Sequence, residues 1–383
     1  MAEFKNTSRR KIRILHHGRR IVVAPQQTIN GPEFFSSYKG LLKLSDEDTT
    51  VPNIEVRNSL RKLSLPTEVN IEDVIIKDET PIEVYVEDVE TEKQVIEKAK
   101  AETNTIEYKV LKGNKKMENS GKIDLSDVTF TIPVGIESQD RKNNLTLIID
   151  YLGKYFNTNI IICESGKKIN IKDFWKPEWN SYVRCLFIEN KTDYFYKTRI
   201  LNKMAELVTT PIIVSYDSDV LMQPDKYVAA AEAIRSGKLD FCYPFNKPLK
   251  HIFKKDFRII RETLNLDIVD SLTGIIHQGI PPGGCFFMNR EKFIEAGMEN
   301  ENMISWGPED QERLHRVKKL GYKVDSLEGY LYHVDHMITQ NSTYSNPLYR
   351  NNIREHEKVL KMTITELKEY IKTWEHTNAR NKA

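Results

Sequence analysis

Residues 128–166 read VTFTIPVGIESQDRKNNLTLIIDYLGKYFNTNIIICESG, and this stretch decides the fold. A β-rich apolar run at 128–134 is followed by apolar residues at helical spacing over 143–156, and then by a second apolar run at 159–166. Strand, helix and strand within about 40 residues form a βαβ unit of a parallel sheet. We therefore predict an α/β fold with a mostly parallel central sheet.

The next helix and strand carry two acidic residues to the edge of that sheet. A helix is predicted over 196–208 and a strand over 211–216, directly before Asp217 and Asp219. Ligands bind at the carboxyl ends of strands in open α/β sheets. Carboxylates at i and i+2 of an extended segment point to the same side, so the two can share one hard cation such as Mg²⁺ or Mn²⁺. The alternative is that one aspartate caps a turn and the other is solvated.

The segment 281–336 adds further candidate site residues. Gly283 and Gly284 allow a backbone to approach a ligand closely. Pro308 predicts a helix start, with Glu309 and Asp310 in the first turn. A carboxylate at a helix N-terminus is held ionised, so Asp310 is a candidate proton acceptor, although acidic residues in a first turn are also ordinary helix starts.

His333 and His336 follow in the sequence YHVDH. Imidazoles three residues apart can share a cation, and with the two aspartates they would form a mixed nitrogen and oxygen site suited to Mn²⁺. The alternative is a packed or capping histidine.

Composition sets the broad class of protein. The 383 residues are 39% hydrophobic and 29% charged, which is typical of a globular protein of two or three domains. A net charge of +2 gives no global preference for nucleic acid or membrane. The sequence has no apolar run of about 20 residues and no signal-peptide pattern, so we expect a cytoplasmic protein without a membrane span. The four scattered cysteines are predicted to be buried thiols.

Four domains are predicted from changes in composition. Residues 8–23 alternate charged and apolar residues around a His-His-Gly turn, which indicates a β-hairpin within a small β module at 1–40. This module is a candidate docking domain for a partner. A charged linker with local structure covers 41–126, a catalytic domain 127–345 and a helical tail 346–383. A basic stretch at 246–262 indicates either a solvated face or a site for an anionic acceptor or nucleic acid.

From Val128 to about Asn352 the chain resembles the GT-A glycosyltransferases. The likeness is strongest to the metal-dependent beta-1,4-galactosyltransferase type and its bacterial capsule-synthesis relatives. It is carried in order by TIPVGIESQDRKNNL (131–145), FYKTRILNKMAELVTTPIIVSYDSDV (195–220), GGCFFMNREKF (283–293) with SWGPEDQERL (305–314), and YHVDHMITQNSTYSNPLYRNN (332–352). The resemblance implies a GT-A fold, which is Rossmann-like with a mostly parallel sheet.

The resemblance also implies roles for individual residues. Asp217 and Asp219 would hold Mn²⁺ (or Mg²⁺) on the diphosphate of a nucleotide sugar, with His336 as a further ligand and His333 in the place of a soft ligand. Asp310 would be the catalytic base. Other positions would bind the two substrates. The acceptor and donor pocket would include Gly283, Gly284, Trp306, Gly307 and Glu309, and the nucleotide-sugar site would include Pro133, Arg141, Glu164, Arg199 and Asp217.

The function implied is metal-dependent, inverting transfer of a hexose, of galactose type or related, from a UDP-sugar to a hydroxyl of a glycan or protein. The family's WGGEDD segment reads WGPEDQ here, so acceptor specificity does not transfer. Two alternatives remain open: glycosylation of modified bases in DNA, and a structural protein, for instance of a phage particle, that carries a glycosyltransferase domain. The setting expected is the cytoplasm of a bacterial or phage-infected cell, with virion association as an option.

Overall fold

The computed structural model describes residues 2–6, 12–16, 19–23, 28–31, 41–43, 108–111, 121–277, 282–337, 339, 341, 346–374 and 376–377. The chain divides into two compact units, Met1–Glu83 and Val84–Ala383. The strands of the smaller unit are β1 (Ala2–Asn6), β2 (Ile12–His16), β3 (Arg19–Val23), β4 (Thr28–Gly31) and β5 (Leu41–Lys43). Strand β1 pairs antiparallel with β4 and β5, and β2 pairs antiparallel with β3.

Strands β2 and β3 pair within the stretch 8–23, for which the sequence predicts a hairpin. Most of the predicted linker 41–126 lies outside the described residues. The predicted domain boundaries stay predictions.

The described residues of the larger unit form two sheets. Its strands are β6 (Tyr108–Leu111), β7 (Ile123–Val134), β8 (Phe156–Gly166), β9 (Val183–Glu189), β10 (Ile212–Tyr216), β11 (Val220–Leu221), β12 (Phe241–Tyr243), β13 (Leu249–Ile252), β14 (Gly274–His277), β15 (Cys285–Asn289), β16 (Val324–Ser326) and β17 (Tyr332–Val334). The central sheet has the order β16-β12-β15-β10-β7-β8-β9-β6, and the smaller sheet the order β11-β17-β13-β14.

Helices cover the central sheet and extend to the end of the described chain. They are α1 (Gln139–Tyr155), α2 (Lys197–Leu207), α3 (Pro224–Arg235), α4 (Phe257–Thr263), α5 (Leu266–Asp270), α6 (Arg290–Glu295), α7 (Glu309–Lys319), α8 (Tyr349–Lys361) and α9 (Ile364–Lys372). Among the described residues, no helix combines the length and apolar character needed to cross a membrane.

The central sheet is mostly parallel, as predicted. Strand β7 pairs parallel with β8 and β10, β8 with β9, and β12 with β16, whereas β15 and β6 run antiparallel to their neighbours. The chain leaves β7 through α1 to β8 on one side and returns through α2 to β10 on the other. This reversal of strand order creates a crevice at the carboxyl ends of β7 and β10, where α/β sheets bind ligands.

The core centres on β7. Phe130 is fully buried and makes edge-to-face contacts with Tyr216 on β10 and Phe287 on β15, with ring centroids 5.4 and 5.9 Å apart. The rigid packing of these rings holds the strand ends that carry the crevice. The cysteines follow the prediction, since Cys163, Cys185, Cys242 and Cys285 are all free and buried.

We expect Phe130→Ala to destabilise the larger unit by about 3–5 kcal/mol, because it leaves a cavity among packed aromatic rings. Denaturant unfolding followed by tryptophan fluorescence measures this, since all four tryptophans lie after residue 170. Leu360→Ala is the control: this side chain is 42% exposed, so a change within about 0.5 kcal/mol is expected. Equal effects of the two substitutions would contradict the assignment of the core.

Candidate active site

A cavity of about 730 Å³ lies at the carboxyl ends of β7 and β10. Most of the residues predicted for the site line this cavity. They are Pro133, Arg141, Asp217, Asp219, Gly283, Gly284, Trp306, Gly307, Glu309, Asp310, His333 and His336. The fold therefore brings together, at one edge of the sheet, residues that are far apart in the sequence. Pro133 and His336, for example, are separated by 203 positions.

Three of these residues form a candidate metal site. Asp219, His333 and His336 each offer a ligand atom, and these atoms lie within 4.8 Å of one another. Nε2 of His336 is 3.2 Å from Oδ2 of Asp219, and Nε2 of His333 is 4.0 Å from Oδ1. One carboxylate and two imidazoles suit a divalent cation of intermediate hardness such as Mn²⁺.

Strand pairing explains why Asp219 meets the histidines. Strand β11 runs antiparallel to β17, with Val220 opposite His333, and the N–H of Val334 donates to the carbonyl of Asp219 at 2.8 Å. The guanidinium of Arg141, from the first turn of α1, also contacts the Asp219 carboxylate. Burial raises the pKa of Asp219, but hydrogen bonding from His336 and the cationic neighbours outweigh it, so the pKa is well below its usual range.

Asp217 lies apart from this cluster. The extended run ends at Tyr216, and a turn follows at Ser218 and Asp219, so the i, i+2 geometry assumed from the sequence is not present. The Asp217 N–H donates to the carbonyl of Gly284 at 2.9 Å, and its Oδ1 lies 3.2 Å from Nζ of Lys197. Its role as a metal ligand stays a prediction.

Lys197 is the site residue that sequence reasoning missed. Its ammonium lies 3.2 Å from Asp217, 3.3 Å from Glu309 and 3.2 Å from Asp310. Lys197 is the first residue of α2, where a cation opposes the helix dipole. That mismatch was the available signal, because a cation in the first turn does not stabilise the helix.

The four charges shift one another's protonation. Burial lowers the pKa of Lys197, but its three carboxylate neighbours outweigh burial and raise the pKa well above the usual range. Burial raises the pKa of Asp310, but the charges of Lys197 and Arg313 overcome it and the pKa is lowered. Burial raises the pKa of Glu309 to about 7, with the charge of Lys197 opposing the rise and that of Asp310 adding to it. Asp310 is therefore ionised at neutral pH, whereas Glu309 is partly protonated.

Glycine is required where the backbone passes Asp310. A Cβ on Gly283 would lie 2.2 Å from Oδ2 of Asp310. At Gly284, φ is +98°, and a Cβ would lie 2.6 Å from a Leu331 methyl carbon. Gly283, predicted to allow close approach of a ligand, therefore also makes room for the candidate base.

Aromatic residues form the wall next to Asp310. Trp306 stacks on Tyr349, the first residue of α8, with ring centroids 5.3 Å apart. Asn352 of α8 donates to the carbonyls of Ile304 and Trp306 at 2.7 and 3.1 Å. Helix α8, which the sequence assigned to a C-terminal tail, thus holds one wall of the cavity.

Glu164 and Arg199 do not line the cavity. The Glu164 carboxylate is fully buried and accepts hydrogen bonds from the N–H groups of Asn170 and Ile171, at 2.8 and 2.9 Å. Nε of Arg199 donates to Glu301 at 3.3 Å. Both side chains therefore bind the protein itself, and their nucleotide-binding roles stay predictions.

Basic residues of the 246–262 stretch pair with acidic residues. Lys247 contacts Glu328 at 2.6 Å, Lys254 contacts Asp140 at 2.8 Å, and Arg258 contacts Glu262 at 2.7 Å. Lys250 contacts Asp270. These pairs favour the solvated-face interpretation over a surface for nucleic acid.

No family model and no curated protein matches the sequence. Among solved structures, the chain is similar to the catalytic domain of Drosophila beta1,4galactosyltransferase 7 in complex with xylobiose, with 12% identity, a TM-score of 0.34, and coverage of 53% of this chain and 66% of that one. GalNAc-T7 with UDP, GalNAc and Mn²⁺ shows 15% identity and a TM-score of 0.41, covering 64% and 49%.

A third similar structure is the mannosyltransferase PcManGT from Pyrobaculum calidifontis in complex with GDP-Man and Mn²⁺, with 13% identity, a TM-score of 0.42 and 76% coverage of both chains. The chain thus spans half to two thirds of the first two structures, and about three quarters of this one.

We expect Gly283→Ala to lower the rate of the sugar transfer that the family resemblance implies by about 10²-fold or more. The added methyl group must displace the Asp310 carboxylate. Steady-state kinetics measure the rate, and thermal unfolding reports whether the fold is kept. Full activity of a folded variant would contradict the placement of Asp310 against Gly283.

We expect His336→Ala to weaken Mn²⁺ binding. Loss of an outer-shell partner typically costs about 10–100-fold in metal affinity, and loss of a direct ligand is expected to cost more. Titration calorimetry measures this, with His315→Ala as the control, because His315 pairs with His356 away from the cavity.

The same titration has an expected pH dependence. Burial lowers the pKa of His336, but the hydrogen bond to Asp219 and its charge raise it above the usual range. Metal binding needs the neutral imidazole, so affinity is expected to fall as the pH drops through this raised pKa. Affinity independent of pH between 5 and 8 would argue against His336 as a ligand.

Proposed function

We propose that the chain is a metal-dependent, inverting glycosyltransferase that moves a hexose, of galactose type or related, from a UDP-sugar to an acceptor hydroxyl on a glycan or protein. One observation carries the proposal: a single cavity contains both a carboxylate and imidazole cluster, at Asp219, His333 and His336, and a separate ionised carboxylate, Asp310, beside the Gly283 backbone. The cluster suits the binding of a divalent cation, and the Asp310 carboxylate suits the acceptance of a proton.

A divalent cation at Asp219, His333 and His336 supplies positive charge for the departing diphosphate. The fit is chemical, because these three side chains offer one oxygen and two nitrogen ligands at close range. In this proposal Arg141 binds phosphate oxygens; its contact with Asp219 and its place in the cavity lining support this role.

Asp310 takes the proton of the acceptor hydroxyl in this proposal. Its low pKa keeps it ionised, and its Oδ2 faces the Gly283 backbone in the cavity. The hydroxyl then attacks the anomeric carbon on the face opposite the diphosphate, through an oxocarbenium-like transition state, and the configuration inverts. Trp306 and Tyr349 give the acceptor an apolar wall.

We expect Asp310→Asn to lower the rate of transfer by about 10²–10⁴-fold, the usual contribution of a general base. The assay is a screen of UDP-sugars with and without Mn²⁺, with the anomeric configuration of the product read by NMR. The matched control is Asp225→Asn, whose side chain is 69% exposed on α3. A product of retained configuration, or full transfer by Asp310→Asn, would refute the inverting mechanism.

A further inference from the structure

Arg313 is a buried cation directly behind the candidate base. It lies one turn after Asp310 on α7, and its side chain is 1% exposed. Nη2 donates to Oδ1 of Asp310 at 2.7 Å, and Nη1 donates to Oε1 of Glu299 at 2.6 Å. The guanidinium also lies over the Phe286 ring, 4.7 Å from its centroid. Arg313 is not among the residues that line the cavity.

Charge compensation in the core explains only one of the two ion pairs of Arg313. A buried guanidinium is costly unless a carboxylate compensates it, and Glu299, whose side chain is 1% exposed, already does so. The second arm of the fork reaches Asp310 instead of the protein backbone. Arg316, one turn further along α7, shows the contrasting case: it pairs with Glu312 and donates its remaining hydrogen bonds to the carbonyls of Ala296 and Met298.

The two oxygens of Asp310 are therefore in different surroundings. Oδ1 is bound from the core side by Arg313, which is itself fixed by Glu299. Oδ2 lies on the cavity side, against Gly283 and 3.2 Å from the Lys197 ammonium. Lys197 is shared among three carboxylates, whereas the hydrogen bond from Arg313 is directional and planar.

We propose that Arg313 is a positioning residue for transfer: by binding Oδ1, it directs Oδ2 of Asp310 toward the acceptor hydroxyl and keeps the carboxylate ionised. This inference rests on the proposed function, in which Asp310 is the base. It assigns the orientation of the base to a residue that touches neither substrate.

Several charged groups face Asp310, and they fix the expected direction of change. Lys197 approaches from α2, Asp217 from the turn after β10, and Glu309 and Arg313 from α7 itself. Tyr243 of β12 lies next to Arg313. Without Arg313, one lysine would serve three carboxylates, so the pKa of Asp310 would rise. Asp310 would therefore lose its charge at a higher pH in the variant than in the unmodified protein.

The test uses the double variant Arg313→Met with Glu299→Gln, which removes the buried cation together with Glu299, its other buried partner. We expect kcat to fall about 10²-fold, as for a misplaced catalytic group, with the KM for the sugar nucleotide changed less than about threefold. The acidic limb of the rate profile should move up by about 1–3 pH units, the usual effect of one adjacent cation. Arg313→Lys keeps the charge, so its acidic limb should stay near that of the unmodified protein while kcat falls, because lysine lacks the planar fork.

The matched control is Arg316→Met with Glu312→Gln, the same pair of changes one turn away. It should keep both kcat and the pH profile. An equal loss in this control, or an unchanged kcat and acidic limb in a folded Arg313→Met, Glu299→Gln protein, would overturn the proposal.

A second readout works without turnover. The titration of Asp310 can be followed by NMR of protein labelled at the aspartate carboxyl carbons, with Asp310→Asn to assign the signal. We expect its pKa to rise in the Arg313 double variant and to stay in the Arg316 control. If the unmodified protein transfers no sugar from any donor, the proposed function fails, whereas this titration still decides whether Arg313 lowers the pKa of Asp310.

Discussion

The site depends on one buried cation, Lys197, placed among three carboxylates. Asp217 follows β10, and Glu309 and Asp310 begin α7, so the lysine joins segments about 90 residues apart in the chain. Without it, three like charges would share a partly buried space, with Arg313 as the cation left to Asp310. Even with it the compensation is incomplete, since the pKa of Glu309 rises to about 7. The pKa of Asp217 is also raised, mainly by burial, whereas that of Asp310 is lowered because Asp310 has Arg313 as a second cationic partner.

The backbone decides where these side chains meet. Reversal of strand order around β7 opens a crevice between β7 and β10, and the short β11 turns back from that edge to pair with β17. This pairing sets His333 opposite Val220, so the metal cluster results from strand register more than from the spacing of the aspartates. A shift of register by one residue would turn His333 to the other face of the strand.

The sequence predicted the elements well, because they depend on local periodicity. The βαβ unit, the strand before Asp217 and the helix that follows Pro308 all follow from patterns within short windows. The meeting of Asp219 with the two histidines was expected from ligand chemistry and from the family resemblance, not from a local pattern. The turn at 217–219 and the surroundings of Glu164 could not be predicted in this way. Each depends on hydrogen-bond partners that local periodicity does not show. The Gly284 carbonyl accepts a hydrogen bond from the Asp217 N–H. The N–H groups of Asn170 and Ile171 donate to the Glu164 carboxylate.

Charge balance gives a physical reason for the order of groups along the cavity. Arg141 and the histidines lie on the Asp219 side, where a cation and an anionic leaving group would meet, and Lys197 lies between that side and Asp310. The charges of a divalent cation and a diphosphate nearly cancel. Bound together in the cavity, they would therefore change the electric field at Asp310 less than either would alone. Lys197 would then shield the base from the departing negative charge. In the proposed reaction, Asp310 would therefore keep its charge until it takes the acceptor proton.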